Sequence, residues 1–266
     1  MNAVGIGVLV FILAPIPVIV WMSFFKAEYL SFPPTQGYST RWYAGLVHQT
    51  QLSGAFVYSF ELALLAALIS TVIGFLAALA LHRSTLPGHG AISNAFAMPL
   101  TIPTIVSGLA LYLYLYSLQQ QTQRLLVPTF WALLAAHVLI TLPWAFRFIY
   151  AGLAGLGRDV ERASLDLGRN ELATLWHITL PLMRPSLIGG YVLAFIFSFG
   201  DLEMSLFLVA PGKVTLPVAM VQYAQFKVDP TLAAMSVVQI AIIATLLLAA
   251  DRFIHFGRVF AGGTKQ

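Results

Sequence analysis

The stretch from Asp159 to Pro185 reads DVERASLDLGRNELATLWHITLPLMRP and lies between long apolar runs. It contains four acidic and three basic residues, in a chain of 266 residues of which only 9% are charged. A soluble protein has about 25% charged residues, so the scarce charges of this chain are concentrated here. Because charged side chains are costly in hydrocarbon, we expect this stretch to fold outside the apolar layer and to bind a partner in water.

The composition is that of an integral membrane protein, with 59% hydrophobic residues and a mean hydropathy of +0.85. The net charge of +4 does not indicate nucleic-acid binding, because the basic residues lie mostly at the ends of apolar runs. The absence of cysteine excludes disulfides, thiolate metal sites and cysteine nucleophiles. The N-terminal apolar run lacks a basic leader and a small-residue cleavage site, so we interpret it as a retained span.

The apolar runs predict an all-α membrane protein with six transmembrane helices in a single domain over residues 1–266. A span needs roughly 20 apolar residues to cross about 30 Å of hydrocarbon. The predicted spans are residues 4–25, 60–81, 91–118, 125–147, 187–209 and 231–251. The prolines at positions 15 and 17 predict a kink in the first span. Residues 151–185, between the fourth and fifth spans, form a loop that we name the coupling loop.

The basic residues predict the orientation of the spans. With both termini in the cytoplasm, nine Lys and Arg residues lie on the cytoplasmic side and five lie outside. Because cytoplasmic loops carry the excess of Lys and Arg, this topology is favoured, and it places the coupling loop in the cytoplasm. The count includes Arg258 and Lys265 at the C-terminal end.

Two short helices are predicted within the coupling loop. Asp159 is a candidate N-cap for the first helix, and Gly168 suits a left-handed position after its end. Asn170 is a candidate N-cap for the second helix. Helical periodicity predicts that the first helix has one face made of Val160, Ala163, Ser164 and Leu167. A compact pair of helices with a small-residue surface is a shape that docks into a groove on a partner.

The coupling loop resembles the EAA loop of the permease subunits of binding-protein-dependent ABC importers, in the MetI-like family. The family pattern is EAA, three residues, glycine, nine residues, isoleucine, one residue and leucine-proline. The matching positions are Ala163, Ser164, Gly168, Ile178, Leu180 and Pro181. The sequence departs from the pattern at Arg162, which stands where the family has glutamate, with Glu161 one residue earlier. The resemblance implies that ATPase coupling involves Glu161, Arg162, Ala163, Ser164, Asp166, Gly168, Ile178, Leu180 and Pro181.

The resemblance also implies the fold, partners and location of the chain. The implied fold is MetI-like, and the implied location is the bacterial inner membrane. The implied partners are a second permease subunit of identical or related sequence, two cytoplasmic ABC ATPase subunits and a periplasmic binding protein. The chain has no G-x-x-x-x-G-K-[ST] loop to hold nucleotide phosphates. ATP and Mg²⁺ are therefore expected in the partner ATPase. No catalytic residue, metal site or cofactor is predicted in this chain, which the resemblance implies to be a transport subunit and not an enzyme.

Gly200, Asp201 and Glu203 are the candidate residues of the translocation pathway, because ionisable groups within a span are functional by default. Gly200 is expected to break the fifth helix and Asp201 to cap its continuation. Two carboxylates in this position could line the pathway and attract a cationic substrate. The alternative is that Asp201 is only a structural cap and that Glu203 pairs with a neighbouring helix. The sequence leaves both interpretations open.

The substrate class follows only weakly from the sequence. Residues 198–208 (SFGDLEMSLFL) and 215–234 (TLPVAMVQYAQFKVDPTLAA) resemble permeases for polyamines, ferric iron, thiamine and aminophosphonates. The two carboxylates favour an organic cation or zwitterion. An ion-coupled secondary carrier is an alternative of another class, but it predicts an inverted repeat that is not evident in the sequence. A membrane enzyme is disfavoured because the six histidines are scattered, and His137 is interpreted as a hydrogen-bonded packing residue.

Overall fold

The structure is a computed structural model that describes residues 3–29, 36–84 and 88–254. Within these residues the protein is almost entirely helical, apart from an isolated antiparallel β-bridge between Phe25 and Tyr38. The helices are α1 (Ala3–Leu13), α2 (Pro15–Met22), α3 (Arg41–Leu46), α4 (Thr50–Arg83), α5 (His89–Ala97), α6 (Thr104–Thr122), α7 (Phe130–Leu156), α8 (Asp159–Asp166), α9 (Glu171–Thr174), α10 (Leu180–Phe199), α11 (Leu216–Phe226) and α12 (Pro230–Ile254).

The chain divides into two compact units. The first consists of Met1–Tyr58 and Gly212–Thr245, and the second consists of Ser59–Pro211 and Leu246–Gln266. Among the described residues, five helices are long and apolar enough to cross a membrane, or six if one bent pair counts as a single span. The basic residues at positions 258 and 265, used above to orient the spans, lie outside the described residues.

In the first unit, α1 and α2 form one apolar span, Val4–Met22. The α-helix is interrupted at Ala14, directly before Pro15, because a proline has no N–H for the helical hydrogen bond. None of the 19 residues in this span is buried against the described parts of the chain. The apolar surface of this span is therefore free to contact lipid or another chain.

The first unit also contains α11, which the sequence analysis did not predict. The predicted fifth and sixth spans, residues 187–209 and 231–251, leave this helix in the segment between them. Pro217 lies in the first turn of α11, where its missing N–H costs no helical hydrogen bond. After α11, the carboxylate of Asp229 accepts hydrogen bonds from the Lys227 ammonium, 2.9 Å away, and the Thr231 backbone N–H, also 2.9 Å away.

The second and sixth spans are longer than predicted. Helix α4 has 34 residues and begins ten residues before the predicted start at residue 60. Helix α12 begins at Pro230 and runs to Ile254, so it contains the predicted span 231–251. The N-terminal turns of α4 were missed because Thr50–Ser59 mixes polar and small residues with apolar ones. Length and hydropathy locate the membrane-crossing part of a helix and not its ends.

The predicted third span, residues 91–118, is bent in the structure. The chain forms two helical legs, Gly90–Thr101 and Thr104–Thr122, which meet at an angle of 94°. Ile102 between them has an extended backbone (φ −97°, ψ 131°), a conformation that the ring of the following Pro103 favours. The proline therefore creates a sharp turn where hydropathy alone shows a continuous run.

The fourth and fifth spans are shifted relative to their predicted bounds. Helix α7 starts at Phe130, not at residue 125, because the Thr129 side chain accepts a hydrogen bond from Ala132 N and caps the helix. It continues past Arg147 to Leu156, nine residues beyond the predicted end. The fifth span is helical from Glu171 to Phe199, with a π-helical turn at Leu175–Thr179. It ends ten residues before the predicted position 209.

The core of the second unit lies where α7 packs against α10. Glycine allows the two helices to approach closely. A Cβ at Gly152 would lie 2.1 Å from Ser186 Oγ and 2.6 Å from Ser186 Cβ, and a Cβ at Gly189 would lie 2.2 Å from the Phe148 ring. The same close packing occurs between α4 and α7, where a Cβ at Gly74 would lie 3.0 Å from the backbone N of Phe146. These contacts fix the frame that carries the coupling loop and the cavity described below.

Candidate functional site

The coupling loop contains the two predicted helices, α8 and α9. Its first residues, 151–156, belong to α7, and its last residues, from Leu180 on, belong to α10. Gly168 has φ +87°, the left-handed conformation predicted after the first helix. Asn170 Oδ1 accepts a hydrogen bond from Ala173 N at 2.7 Å and caps α9 as predicted. The prediction of Asp159 as N-cap is wrong, because Arg158 occupies that position and Asp159 is the first helical residue.

The predicted common face of α8 is divided in the structure. Glu161 and Ser164, three residues apart, are buried, whereas Val160, Ala163 and Leu167 are exposed. Ser164 Oγ lies 2.9 Å from Thr174 Oγ1 and joins α8 to α9. The inward face of α8 is therefore polar, and its apolar residues are presented outward.

Glu161 binds two other segments of the second unit. Its Oε2 atom accepts a hydrogen bond from Arg83 Nε at 3.2 Å, and its Oε1 atom accepts one from Arg83 Nη2 at 3.1 Å. The Thr179 hydroxyl donates a third hydrogen bond to Oε1 at 2.6 Å. We name this arrangement of Glu161, Arg83 and Thr179 the Glu161 clamp. Burial would raise the pKa of Glu161, but the hydrogen bonds from Arg83 and Thr179 and the Arg83 charge outweigh it and hold the pKa below its ordinary value.

A second arginine fixes the coupling loop to the end of α4. The Arg158 guanidinium donates hydrogen bonds to the carbonyl of His82, with Nε at 3.0 Å, and to the carbonyl of Ser84 at 3.4 Å. The last carbonyls of a helix have no partner within the helix, and a cationic side chain is a favourable partner for them. Arg158 therefore caps α4 from the start of the coupling loop.

The outward surface of the coupling loop combines apolar and charged groups. The exposed fraction is 87% for Leu167 and 63% for Trp176. The Arg162 side chain is 65% exposed and lies 4.0 Å from the Asp159 carboxylate. Of the other predicted coupling residues, Asp166 is exposed and Ile178, Leu180 and Pro181 are half-buried at the start of the fifth span. The outward surface of the coupling loop therefore presents both apolar and charged side chains.

The candidate pathway residues line a cavity of about 710 Å³ in the second unit. Its wall comprises residues 99–104 at the bend of the third span, Ile140 and Trp144 of α7, Ile196 and Phe197 of α10, and residues 200–203. Gly200 ends α10 as predicted. The helix does not continue beyond it, so Asp201 and Glu203 lie in a non-helical segment and not within a span.

Asp201 stabilises the turn in this segment through hydrogen bonds from Ser205. Its Oδ2 atom accepts hydrogen bonds from Ser205 N at 3.0 Å and Ser205 Oγ at 2.9 Å, and its side chain is only 7% exposed. His137 of α7 is buried between Ser198 Oγ at 2.7 Å and Ser205 Oγ at 3.0 Å, in agreement with its predicted packing role. These hydrogen bonds secure the turn that follows α10.

Glu203 pairs with a neighbouring helix. Its Oε2 atom accepts hydrogen bonds from the Thr104 hydroxyl and from the backbone N–H of Ile105 at 3.2 Å. The carboxylate therefore sits at the N-terminus of α6, where the helix dipole favours negative charge. Unlike Asp201, Glu203 is exposed, and it lines the cavity. A role of either carboxylate in the pathway stays a prediction.

The sequence analysis missed an aromatic pair in the cavity wall. The rings of Trp144 and Phe197 are stacked, with centroids 4.1 Å apart and an angle of 10° between their planes. Both residues lie inside apolar runs, where an aromatic side chain ordinarily indicates core packing. Only the bend at Pro103 and the end of α10 at Phe199, which open the cavity, distinguish this pair from core residues.

The described chain is thus a multi-pass helical protein with a polar loop and a cavity beside a broken span. Residues 70–256 match the family described as the inner membrane component of binding-protein-dependent transport systems. The chain belongs to this family. The match confirms the predicted family, the location in the inner membrane and the function as a permease subunit of an ABC importer.

Two relatives and one solved structure are similar over most of the chain. The chain is 32% identical over 254 residues to the putrescine transport system permease protein PotI of Escherichia coli K12, covering 92% of this chain and 84% of PotI. It is 30% identical over 222 residues to the spermidine/putrescine transport system permease protein PotC of the same organism, covering 82% of each chain. A chain of a bacterial ABC transporter involved in the import of the acidic polysaccharide alginate has a TM-score of 0.65 at 16% identity, over 93% of this chain and 92% of that chain. The last similarity confirms the predicted fold class.

Proposed function

We propose that this chain forms half of the pathway of an ATP-driven importer for a polyamine or a similar small organic cation. The observation that carries the substrate class is the cavity wall, in which the Glu203 carboxylate lies with the stacked pair of Trp144 and Phe197. A carboxylate attracts an ammonium group, and an aromatic face binds it through its quadrupole. The similarity to PotI and PotC, permeases named for putrescine and spermidine transport, supports the same class.

The partners that we propose are a second permease subunit, two ABC ATPase subunits and a periplasmic binding protein. ATP and Mg²⁺ bind the ATPase subunits, and the coupling loop faces them in the cytoplasm. The exposed surface around Leu167 and Trp176 supports docking of the loop into a groove of the ATPase. The binding protein delivers the substrate from the other side of the membrane.

The substrate class is tested by uptake into proteoliposomes that contain the complete importer with its binding protein. We expect ATP-dependent uptake of labelled putrescine or spermidine, reduced by a Trp144→Ala substitution that removes the aromatic face. Uptake of ferric iron, thiamine or 2-aminoethylphosphonate without any polyamine uptake would contradict the proposal. Uptake that continues with a hydrolysis-deficient ATPase and follows the proton gradient would instead indicate a secondary carrier.

The docking surface is tested by copurification of the ATPase with tagged permease. Leu167→Asp and Trp176→Ser should release the ATPase, because they remove exposed apolar groups from the outward surface of the coupling loop. Phe226→Ser is a matched control, since Phe226 is 91% exposed but lies at the end of α11, outside the coupling loop. Retention of the ATPase by both loop variants would contradict docking at this surface.

A further inference from the structure

Glu161 joins three separate segments of the second unit through one carboxylate. The carboxylate belongs to α8, Arg83 is the last residue of α4, and Thr179 lies directly before α10. The two nitrogens of Arg83 meet the two oxygens of Glu161 in a fork-to-fork arrangement, which is the strongest geometry of such pairs. The side-chain exposure is 10% for Glu161 and 28% for Arg83, so water screens the pair less than it screens an exposed ion pair.

The backbone segments directly before and after α8 transmit a displacement of the helix poorly. Gly157 precedes the helix with φ +71°, and Gly168 follows it with φ +87°. At both glycines the space around a hypothetical Cβ is empty, so neighbouring side chains do not restrain the turn. Because glycine has a wide choice of backbone conformations, a displacement of α8 can be absorbed at its two ends. Side-chain contacts must therefore carry the displacement to the spans.

We infer that the Glu161 clamp is a positioning device through which motion of α8 reaches α4 and α10, beside the contacts of Arg158 with the end of α4 and of Ser164 with Thr174. The inference rests on the proposed docking of the coupling loop to an ATPase. Glu161 does not touch nucleotide or substrate, so it is a positioning residue and not a catalytic one. When the ATPase displaces α8, Arg83 and Thr179 follow the carboxylate, and α4 and α10 move together with the helix.

The departure from the EAA pattern agrees with this assignment. Glu161 points inward, and its carboxylate accepts hydrogen bonds from Arg83 and Thr179. The carboxylate is therefore not presented to a partner. Arg162, one residue later and therefore about 100° further around the helix, is the exposed residue at the position of the motif glutamate. The acidic residue of this chain thus holds the loop from within, and the residue facing the ATPase is basic.

The test separates coupling from docking in the reconstituted importer. Glu161→Gln, Arg83→Gln and Thr179→Val should each retain the ATPase and its ATP hydrolysis. We expect the substrate imported per ATP hydrolysed to fall about tenfold, a change that corresponds to about 1.4 kcal/mol. Thr179→Ser keeps the hydroxyl and should preserve the ratio. Glu28→Gln, which removes an exposed carboxylate 3.8 Å from Arg41, is the control for loss of an ion pair elsewhere.

A charge swap distinguishes loss of the Glu161 clamp from misfolding of the single variants. The double substitution Arg83→Glu with Glu161→Arg restores opposite charges at the same two positions, and we expect it to recover part of the lost import per ATP. An unchanged ratio in Glu161→Gln and Arg83→Gln would overturn the inference. Loss of the ATPase from these variants would also overturn it, because the clamp would then serve docking. Failure of the docking proposal is recognised independently, by retention of the ATPase in Leu167→Asp and Trp176→Ser.

Discussion

Glu203 accepts a hydrogen bond from the backbone N–H of Ile105 at 3.2 Å, although 98 residues separate them in the sequence. The contact joins the non-helical segment after α10 to the first turn of α6. A carboxylate at a helix N-terminus is stabilised by the helix dipole by about 0.3–1 kcal/mol. The cavity wall therefore holds a negative charge whose position is fixed by the protein and which remains exposed to the cavity.

Neutralising Glu203 should weaken the import of a cationic substrate. Glu203→Gln keeps the shape of the side chain and removes its charge. One charge pair at 4 Å in water is worth about 1 kcal/mol, so we expect about a fivefold higher substrate concentration at half-maximal uptake. The measurement is the concentration dependence of polyamine uptake by the reconstituted importer.

Asp201→Asn provides the matched comparison for Glu203→Gln. Asp201 is buried and hydrogen-bonded to Ser205, so the amide can still accept a hydrogen bond and uptake should show a smaller change in the half-maximal concentration. A larger change in Asp201→Asn than in Glu203→Gln would reverse the assignment and identify Asp201 as the carboxylate that meets the substrate.

The left-handed conformation of Gly168 should make this position intolerant of other residues. An L-residue in this conformation costs about 1–2 kcal/mol, so Gly168→Ala should destabilise the coupling loop and lower import. Gly168→Pro should be more severe than Arg162→Ala, because a proline requires φ near −65°. Gly155→Ala is the control, since Gly155 is helical and a Cβ there meets nothing within 4 Å. Equal import by Gly168→Pro and Arg162→Ala would contradict the role of the turn.

The close contact of α7 with α10 should be sensitive to a single methyl group. Gly152→Ala places a Cβ 2.6 Å from Ser186 Cβ, so the helices must separate and the melting temperature in detergent should fall. Overpacking of this kind typically costs about 1–3 kcal/mol. Adding Ser186→Gly removes the clashing atoms and should recover most of the loss. A double variant as unstable as Gly152→Ala alone would show that the contact at Ser186 does not limit the approach of the helices.

The stabilisation from Glu161 should disappear in acid. Its pKa is lower in the folded protein than in the unfolded chain, so the folded state binds fewer protons. The stabilisation of the folded state by Glu161 is therefore fully present above about pH 4.3, the pKa of a glutamate in the unfolded chain. This stabilisation is lost as the pH falls through the lower pKa of the folded state. Thermal unfolding of wild type and Glu161→Gln in detergent should show a constant difference from pH 7 to about pH 5 and a shrinking one below about 4.3. A difference that grows in acid would contradict the hydrogen-bonded carboxylate.

The sequence predicted the presence of apolar helices better than it predicted the residues at which they begin and end. Hydropathy detects the apolar length of a helix, so α4 and α12 were found, but it does not respond to the cap at Thr129 that delays α7. The 94° bend of the third span was missed although Pro103 was visible. A proline in a membrane helix permits a straight, a kinked or a broken helix, and the tertiary contacts decide among them.

The contacts of the coupling loop could not be predicted from the sequence, and the role of its residues in coupling stays a prediction. The EAA spacing identified Gly168 and the residues around it, and the local signals at Gly168 and Asn170 predicted the two turns. Pairing of Glu161 with Arg83 spans 78 residues and has no local signal. The inward turn of Glu161 arises because its position on α8 faces α4, a relation that only the packed structure contains.

The span Val4–Met22 has a consequence for the biogenesis of the protein. It is helical except for the interruption at Ala14, and it contains no charged residue. Its 19 residues are apolar enough to cross a membrane, so its own composition favours partition into lipid. During synthesis this segment can therefore leave the translocon and remain in the bilayer while the helices that form the cavity are still being made.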